Sequence, residues 1–343
     1  MGRLNMNQKK YLLAGVSAVL ALSLAACGNN EKDKTASEKS TNNAAVAAEG
    51  TANNKGNAAQ EAVATEQTVT YLGKDYVVPA EINNIVAASL ESMEDAAILG
   101  VKPVGVLAIA DAIPGYLSTE LAGASLVGDK FAPSNEAILQ LDPDVILGSS
   151  KFGEDVAGAL NKIQTMIPYS HISTNWKDNL LLLGQLSGKT ADAEKIISDY
   201  ESKAADAKAE IGEKLKDQSI LVIRIRQGSM CVYPAGVYLN PVIYEDLGAA
   251  IPEVISSTEA QAELSLEALA DINPDYIFLQ FETSENTDNA TALDDLLKNP
   301  IFKSVTAVKN NHVFVNAIDP LAQGGTAWSK VRFLDSAIEN LLK

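Results

Sequence analysis

Apolar and polar positions follow two regular patterns along most of the chain. Short apolar runs, such as residues 85–88 and 104–107, are separated by stretches with the 3.6-residue spacing of amphipathic helices. One such stretch begins at the capping-box pair Ser92 and Asp95 and ends at Gly100, a residue typical of helix C-termini. Strands and helices that alternate in this way predict an α/β protein built from βαβ units.

One helix–turn–strand pattern occurs twice. Residues 134–147 read SNEAILQLDPDVIL, and residues 265–278 read SLEALADINPDYIF. In each copy a Ser-capped helix carrying one glutamate, Glu136 or Glu267, ends at a Pro-Asp turn, and a buried strand follows. Because the glutamate, the turn and the strand stay in register, the repeat indicates two related lobes.

A long segment rich in Glu, Lys and Ala, residues 191–217, lies between the two copies and contains no proline. It predicts one continuous helix of about 40 Å at 1.5 Å per residue. We therefore expect two Rossmann-like lobes, residues 68–187 and 218–343, joined by one long rigid helix within residues 188–217. A rigid connector of this kind predicts limited hinge closure.

The N-terminal region has the features of an export signal. A basic start is followed by an apolar run, residues 12–24, and by Leu-Ala-Ala-Cys ending at Cys27. This predicts a lipoprotein signal peptide, residues 1–26, and a membrane anchor through lipid on Cys27. The alternative is a short transmembrane anchor that is not cleaved. Residues 27–67 are mostly small or polar, which predicts a disordered tether.

Charge and cysteine content narrow the function classes. Loss of residues 1–26 would remove three positive charges, so the formal net charge of −17 would become −20. Such an acidic protein repels nucleic acid and anionic lipid, and we expect no nucleic-acid partner. With Cys27 acylated, Cys231 has no partner for an intramolecular disulfide, and stability must come from a large apolar core.

Two arginines interrupt an apolar strand pattern at residues 220–228. Side chains alternate along a strand, so Arg224 and Arg226 share one face, and Gly228 would allow close backbone approach to an anion. From these residues alone, an anion site and a structural ion pair with local carboxylates are equally supported.

Two lysines in the first half have comparable positions. Lys130 precedes the first repeated helix, and Lys151 follows the first repeated strand. In open α/β sheets, loops at the carboxyl ends of strands form the ligand crevice. Each lysine taken singly would be an ordinary surface residue.

Four longer motifs carry a resemblance that extends from residue 71 to the C-terminus. They are ESMED at 91–95, HISTNWK at 171–177, LVIRIRQG at 221–228 and DPLAQGGTAWSKVRF at 319–333. In these motifs the chain resembles the ferric siderophore-binding lipoproteins of ABC importers, and within that family the carriers of ferric bacillibactin in bacilli. The resemblance implies the helical-backbone, class III periplasmic-type fold.

The resemblance also implies roles for particular residues. It places a trianionic ferric tris-catecholate on a basic triad, Lys130, Lys151 and Arg226. A cation about 5 Å from one unit of ligand charge contributes roughly 3 kcal/mol at an effective dielectric of ~20, before desolvation. It also places Arg224, Gln227 and Gln261 in the cleft. It places Glu136 and Glu267 in contact with the permease.

Two segments depart from the pattern of the bacillibactin carriers. Residues 110–113 read ADAI where those proteins have SGKF, and residues 259–261 read EAQ where they have KAQ. Ala112 and Glu259 thus replace positive charges. The triad is intact, but the ligand could be bacillibactin, enterobactin or a smaller catecholate. A ferric hydroxamate is the alternative ligand class.

Other classes fit less well. A zinc or manganese carrier needs several His or carboxylate ligands, and the chain has only His171 and His312, the former expected as a hydrogen-bonded core residue. No catalytic elbow accompanies His312 and Asp319, and paired arginines have no use in an adhesin. We expect a monomeric, lipid-anchored carrier on the extracellular face of the membrane. We also expect it to have no enzymatic activity and no cofactor, and to bind iron only as the siderophore complex.

Overall fold

The computed structural model describes residues 65–342. The predicted signal peptide, the predicted lipid attachment at Cys27 and the predicted tether up to residue 64 lie outside the described residues. Within them, no helix is long and apolar enough to cross a membrane. Strand β1 begins at Glu66, so the predicted tether boundary at residue 67 is two residues too late, because Glu66 and Gln67 pair with Pro79 and Val78 of the next strand.

The described chain alternates strands and helices. The strands are β1 (Glu66–Tyr71), β2 (Lys74–Pro79), β3 (Ile85–Ala88), β4 (Gly105–Ala108), β5 (Ser125–Asp129), β6 (Val145–Ser149), β7 (Met166–Tyr169), β8 (Ile220–Arg226), β9 (Ser229–Val232), β10 (Ala262–Glu263), β11 (Tyr276–Phe281) and β12 (Val313–Val315). The α-helices are α1 (Leu90–Leu99), α2 (Asn135–Gln140), α3 (Glu154–Leu160), α4 (Trp176–Leu186), α5 (Thr190–Leu215), α6 (Glu253–Ser256), α7 (Leu266–Ile272), α8 (Ala292–Lys298), α9 (Pro300–Ser304), α10 (Thr306–Lys309) and α11 (Ala327–Leu341).

The first lobe contains a parallel sheet in the order β5-β4-β3-β6-β7. Its central strands are fully buried and almost entirely apolar, as expected for a sheet covered on both faces. The chain order reverses beside β3, and at such a switch point the loops after the strands leave a crevice. The predicted α/β class with Rossmann-like lobes is confirmed.

The second lobe contains a mixed sheet in the order β10-β9-β8-β11-β12. Strands β8, β11 and β12 are parallel, whereas β9 and β10 are antiparallel to their neighbours. The direction reverses after β8 because Gln227 and Gly228, with φ of 51° and 83°, form a tight turn instead of a helical crossover. The two arginines therefore end a central strand beside a hairpin.

The repeated sequence forms the same unit in both lobes. Ser134 and Ser265 accept hydrogen bonds from the backbone N–H groups three residues on, and so cap α2 and α7. The aspartate of each Pro-Asp turn, Asp144 or Asp275, accepts a backbone N–H just before the neighbouring strand, at 2.8 and 2.9 Å. The predicted internal symmetry is confirmed at the level of single hydrogen bonds.

Helix α1 begins earlier than predicted. Its N-cap is Ser89, whose hydroxyl accepts the Ser92 N–H at 3.0 Å, so Ser92 lies within the first turn and is not the cap. Both serines are good capping residues, and the buried end of β3 places Ser89 at the start of the helix. The predicted end at Gly100 is confirmed, with φ of 66°.

Helix α5 has 26 residues and therefore extends about 39 Å. It buries Tyr200, Ala204 and Ile211 against the core. A second connection between the lobes is formed by Glu94 of α1, which accepts hydrogen bonds from Thr326 and Ser329 at the start of α11. The lobes are thus joined by a long helix and by a buried polar contact.

Candidate ligand-binding cleft

A cleft of about 560 Å³ lies between the two lobes. In the first lobe it is lined by residues that follow the carboxyl ends of β3, β5, β6 and β7, and in the second lobe by residues at the ends of β8, β9 and β11. This is the place where open α/β sheets bind ligands. Each lobe therefore contributes its loops to one site.

Four cationic side chains line the cleft, two from each lobe: Lys130 and Lys151, and Arg224 and Arg226. Lys151 and Arg226 are the open ones, with 54% and 40% of their side chains exposed. Arg224 is nearly buried, and its guanidinium lies 5.1 Å from the ring centre of Tyr238. The structure therefore brings together the predicted triad and the second arginine of β8.

Two carboxylates lie among these cations. Glu285, only 9% exposed, lies 2.8 Å from the Arg224 guanidinium and 3.8 Å from that of Arg226. Glu91, at the start of α1, lies 3.0 Å from the Lys151 ammonium. Four positive and two negative charges give the cleft a formal charge of plus two. Of the two alternatives for the arginines, the structure shows the ion pair at Arg224, and the anion site stays a prediction.

The electrostatic environment perturbs two of the cations in different directions. Burial lowers the pKa of Lys130 below its ordinary value; Glu285 opposes this shift, and the charges of Arg226 and Arg224 add to it. Burial also acts to lower the pKa of Arg224, but Tyr238 and Glu285 outweigh it and the net shift is upward. Arg224 is thus a permanent cation, whereas Lys130 loses its charge more readily than a free lysine.

Neutral donors and acceptors complete the second-lobe side of the cleft. The Gln261 side-chain oxygen accepts hydrogen bonds from Arg226 and from the Tyr233 hydroxyl, both at 3.0 Å. The hydroxyl of Tyr238 is buried and has no hydrogen-bond partner among residues 65–342, and burial raises the pKa of this group to about 12. An unpaired buried hydroxyl is costly, and this one is shielded from solvent and so is not open to the cleft.

Two residues expected to contact the ligand, Gln227 and Gly228, form the β8–β9 turn. Gln227 has a positive φ, is exposed and is not among the residues that line the cleft, so its contact with a ligand stays a prediction. Gly228 lies against Asn289 and donates its N–H to Asn286, so its backbone does not face the cleft. The glycine is required for the turn itself.

His171 differs from its prediction in part. It is hydrogen-bonded, through Nδ1 to the Ser150 hydroxyl at 2.7 Å, but it is exposed at the cleft and is not a core residue. It follows β7 and so reaches the same edge of the sheet as Lys151. Among the described residues, no group of three or more His, Cys, Asp or Glu side chains could hold a metal ion.

The remaining candidate residues lie outside the cleft. Glu136 and Glu267 are exposed in the first turns of α2 and α7, one on each lobe. Two residues differ from the pattern of the bacillibactin carriers, Ala112 and Glu259. Ala112 forms a backbone bridge with Ile109, and Glu259 directly precedes residues 260–261, which line the cleft. Neither Ala112 nor Glu259 lines the cleft.

Sequence reasoning missed Glu285, Tyr238 and Phe131 as cleft residues. Phe131 is 76% exposed, with the Lys130 ammonium 5.2 Å from its ring centre. The repeat contains one indication that Glu285 lies in the cleft, because Glu285 follows β11 as Lys151 follows β6. Nothing in the local sequence pointed to Tyr238, which reaches the cleft through an irregular segment.

Comparisons with known proteins agree with this architecture. A family model described as "Periplasmic binding protein" matches residues 85–317. The iron-uptake system-binding protein of Bacillus subtilis (strain 168) is 45% identical over 334 residues, covering 97% of this chain and 99% of that protein.

Two solved structures extend the comparison. The triscatecholate siderophore-binding protein FeuA from Bacillus subtilis, complexed with ferri-bacillibactin, has 48% identity and a TM-score of 0.77, covering 80% of this chain and 98% of that one. Staphylococcus aureus SirA complexed with staphyloferrin B has 25% identity and a TM-score of 0.69, covering 80% and 98%.

Proposed function

The chain belongs to the periplasmic binding protein family, and on that basis we propose that it captures a ferric catecholate siderophore for an ABC importer. The resemblance given by the four sequence motifs is confirmed at the level of the family and of its bacillibactin-binding member. The ligand class is of the bacillibactin or enterobactin type.

The observation that carries the proposal is the convergence of four cations from two lobes on one cleft of an acidic protein. Such a concentration of positive charge has a cost without an anion, because the like charges repel. A ferric tris-catecholate carries three negative charges and gains from every cation. A neutral ferric hydroxamate gains far less, so the cleft favours the catecholate.

Binding in this proposal is reversible and involves no chemistry on the ligand. The siderophore's own oxygens hold the iron, so iron is cargo and the protein needs no cofactor. Lys130, Lys151, Arg224 and Arg226 attract the ligand charge, and Gln261 donates through its amide to catecholate oxygens. Each contact is non-covalent and charge-assisted, so the ligand can be released to a permease.

Delivery follows from the predicted anchor and the two surface glutamates. Lipid on Cys27 would hold the protein at the extracellular face of the membrane as a monomer. Glu136 and Glu267, one on each lobe, would meet the permease of the importer. Their equivalent places in the two repeated units support a shared role.

The test is a titration with ferric bacillibactin and, in parallel, with a neutral ferric trihydroxamate, followed by quenching of intrinsic fluorescence and by equilibrium dialysis. We expect saturation by the catecholate at submicromolar concentration and none by the hydroxamate. A preference for the hydroxamate would overturn the ligand assignment, and binding of neither would overturn the function.

A further inference from the structure

The cleft holds two carboxylates that an anion-binding site does not need. Glu285 faces both arginines of β8, and Glu91 faces Lys151. Both carboxylates are nearly buried, so their charges are poorly screened by water and act on anything bound in the cleft.

Glu285 is placed to influence the whole group of cations. Its carboxylate contacts Arg224 through Nε at 2.9 Å and lies within ion-pair distance of Arg226. Its backbone oxygen accepts the Gln227 N–H at 3.1 Å, which fixes the loop after β11 against the β8–β9 turn. The position of this carboxylate is therefore set by the fold.

We propose that Glu285, assisted by Glu91, is a specificity-determining residue that sets the net charge of the cleft and so its preference among ferric chelates of different charge. This inference rests on the proposed function. Without the two carboxylates the cleft would carry plus four, and with them it carries plus two. They hold the cations together in the empty protein and limit the attraction for an anion, which keeps release to the permease feasible.

A purely structural role makes a different prediction. If Glu285 only held Arg224 in place, its loss would misplace a ligand contact and weaken the binding of every chelate. If its charge matters, the loss strengthens binding, and more so for the more highly charged chelate. The sign of the effect and its dependence on ligand charge separate the two roles.

The experiment compares Glu285→Gln with the wild type for two probes of the same donor chemistry, a trianionic ferric tris-catecholate and a monoanionic ferric bis-catecholate. Coulomb energy is proportional to ligand charge, so a gain of about twofold for the monoanion becomes about eightfold for the trianion. The salt dependence of the trianion Kd should steepen as well, because the net charge of the cleft rises.

Two further variants make the result decisive. Glu282→Gln removes the same charge from the same loop outside the cleft and should leave both Kd values unchanged. Glu91→Gln should repeat the charge-dependent gain, and it decides the question if Glu285→Gln fails to fold. Equal changes for both probes, or weaker binding of both, would overturn the inference. Failure of the wild type to bind either probe would instead count against the proposed function.

Discussion

Two adjacent carboxyl groups of α1 should respond in opposite ways to the same kind of substitution. Glu94 and Asp95 are both fully buried where α1 meets the second lobe. Glu94 accepts four hydrogen bonds of 2.5 to 2.8 Å, from the Tyr116 hydroxyl, the Gln323 N–H, the Thr326 hydroxyl and the Ser329 hydroxyl. Burial raises the pKa of Glu94, but these four donors oppose that shift and favour the ionised carboxylate.

Asp95 has a different environment. It accepts the Ala327 N–H at 2.9 Å and lies 2.8 Å from the Tyr169 hydroxyl, which also lies 2.7 Å from the Asn179 carbonyl oxygen. Because a hydroxyl has one hydrogen, a bond from Tyr169 to Asn179 requires a proton on Asp95. Burial raises the pKa of Asp95 well above its ordinary value of 3.8, in agreement with that arrangement.

The expected magnitudes follow from these partners. Glu94→Gln turns an NH₂ group toward donors, and hydrogen bonds to a charged group contribute about 1.5–3 kcal/mol each. Hydroxyls can rotate to accept, so we expect a loss of about 3 kcal/mol in the free energy of unfolding. Asp95→Asn keeps shape and neutrality, with an amide that donates to Tyr169, so its change should stay within about 1 kcal/mol.

The pH dependence has a definite sign. The folded-state pKa of Asp95 lies above its unfolded value, so the folded protein binds this proton more tightly. This contribution to the wild-type stability falls as pH rises above about 4 until the folded pKa is passed. Asp95→Asn lacks the contribution, and its stability relative to the wild type should rise over that range.

Urea unfolding of the wild type and both variants at several pH values measures these differences. The reasoning fails if Asp95→Asn costs as much as Glu94→Gln at neutral pH. It fails also if the difference between Asp95→Asn and the wild type does not change with pH.

Three further predictions concern function. Arg226→Gln should weaken binding of a ferric tris-catecholate about tenfold, because loss of a half-exposed cation costs about 1.4 kcal/mol. Arg332→Gln, on the exposed side of α11, should not change the Kd. Equal effects of the two substitutions would contradict the charge argument. The wild-type affinity should fall at alkaline pH, because the pKa of Lys130 lies below its ordinary value of 10.5 and this lysine loses its proton. A Lys130→Gln variant with the same fall in affinity would refute this assignment. Replacing Glu136 and Glu267 together by alanine should stop iron uptake by cells and leave the Kd unchanged; normal uptake would refute a docking role.

The fold was largely predictable because local patterns specify it. The repeat, its serine caps and its Pro-Asp turns each carry their own hydrogen bonds, and a long uninterrupted helical segment has few alternatives. The start of α1 was not predictable, because Ser89 and Ser92 can both cap and only the end of β3 selects between them. The antiparallel β9 is not apparent from the sequence, because a tight turn and close backbone approach to a ligand both favour a glycine such as Gly228.

The site was predictable where a residue ends a strand. Lys130 and Lys151 follow the carboxyl ends of strands in the first-lobe sheet, Arg226 ends a strand of the second-lobe sheet, and both sheet edges line the one cleft. Tyr238 and Glu285 reach the same cleft through loops whose course depends on tertiary packing, and no periodicity in the sequence reports that course. Counter-charges in particular are defined by spatial approach, so a sequence shows cations more readily than the carboxylates that balance them.

Rigidity and charge balance are linked in this protein. The α5 helix and the buried contacts of Glu94 join the two lobes, and cations from both lobes line one cleft. These like charges repel each other, and Glu285 and Glu91 offset that repulsion. The limited closure expected of a rigid connector stays a prediction. With limited closure, little conformational entropy is lost on binding. We therefore expect recognition of a multiply charged chelate by this cleft to depend on net charge and shape more than on closure of the lobes.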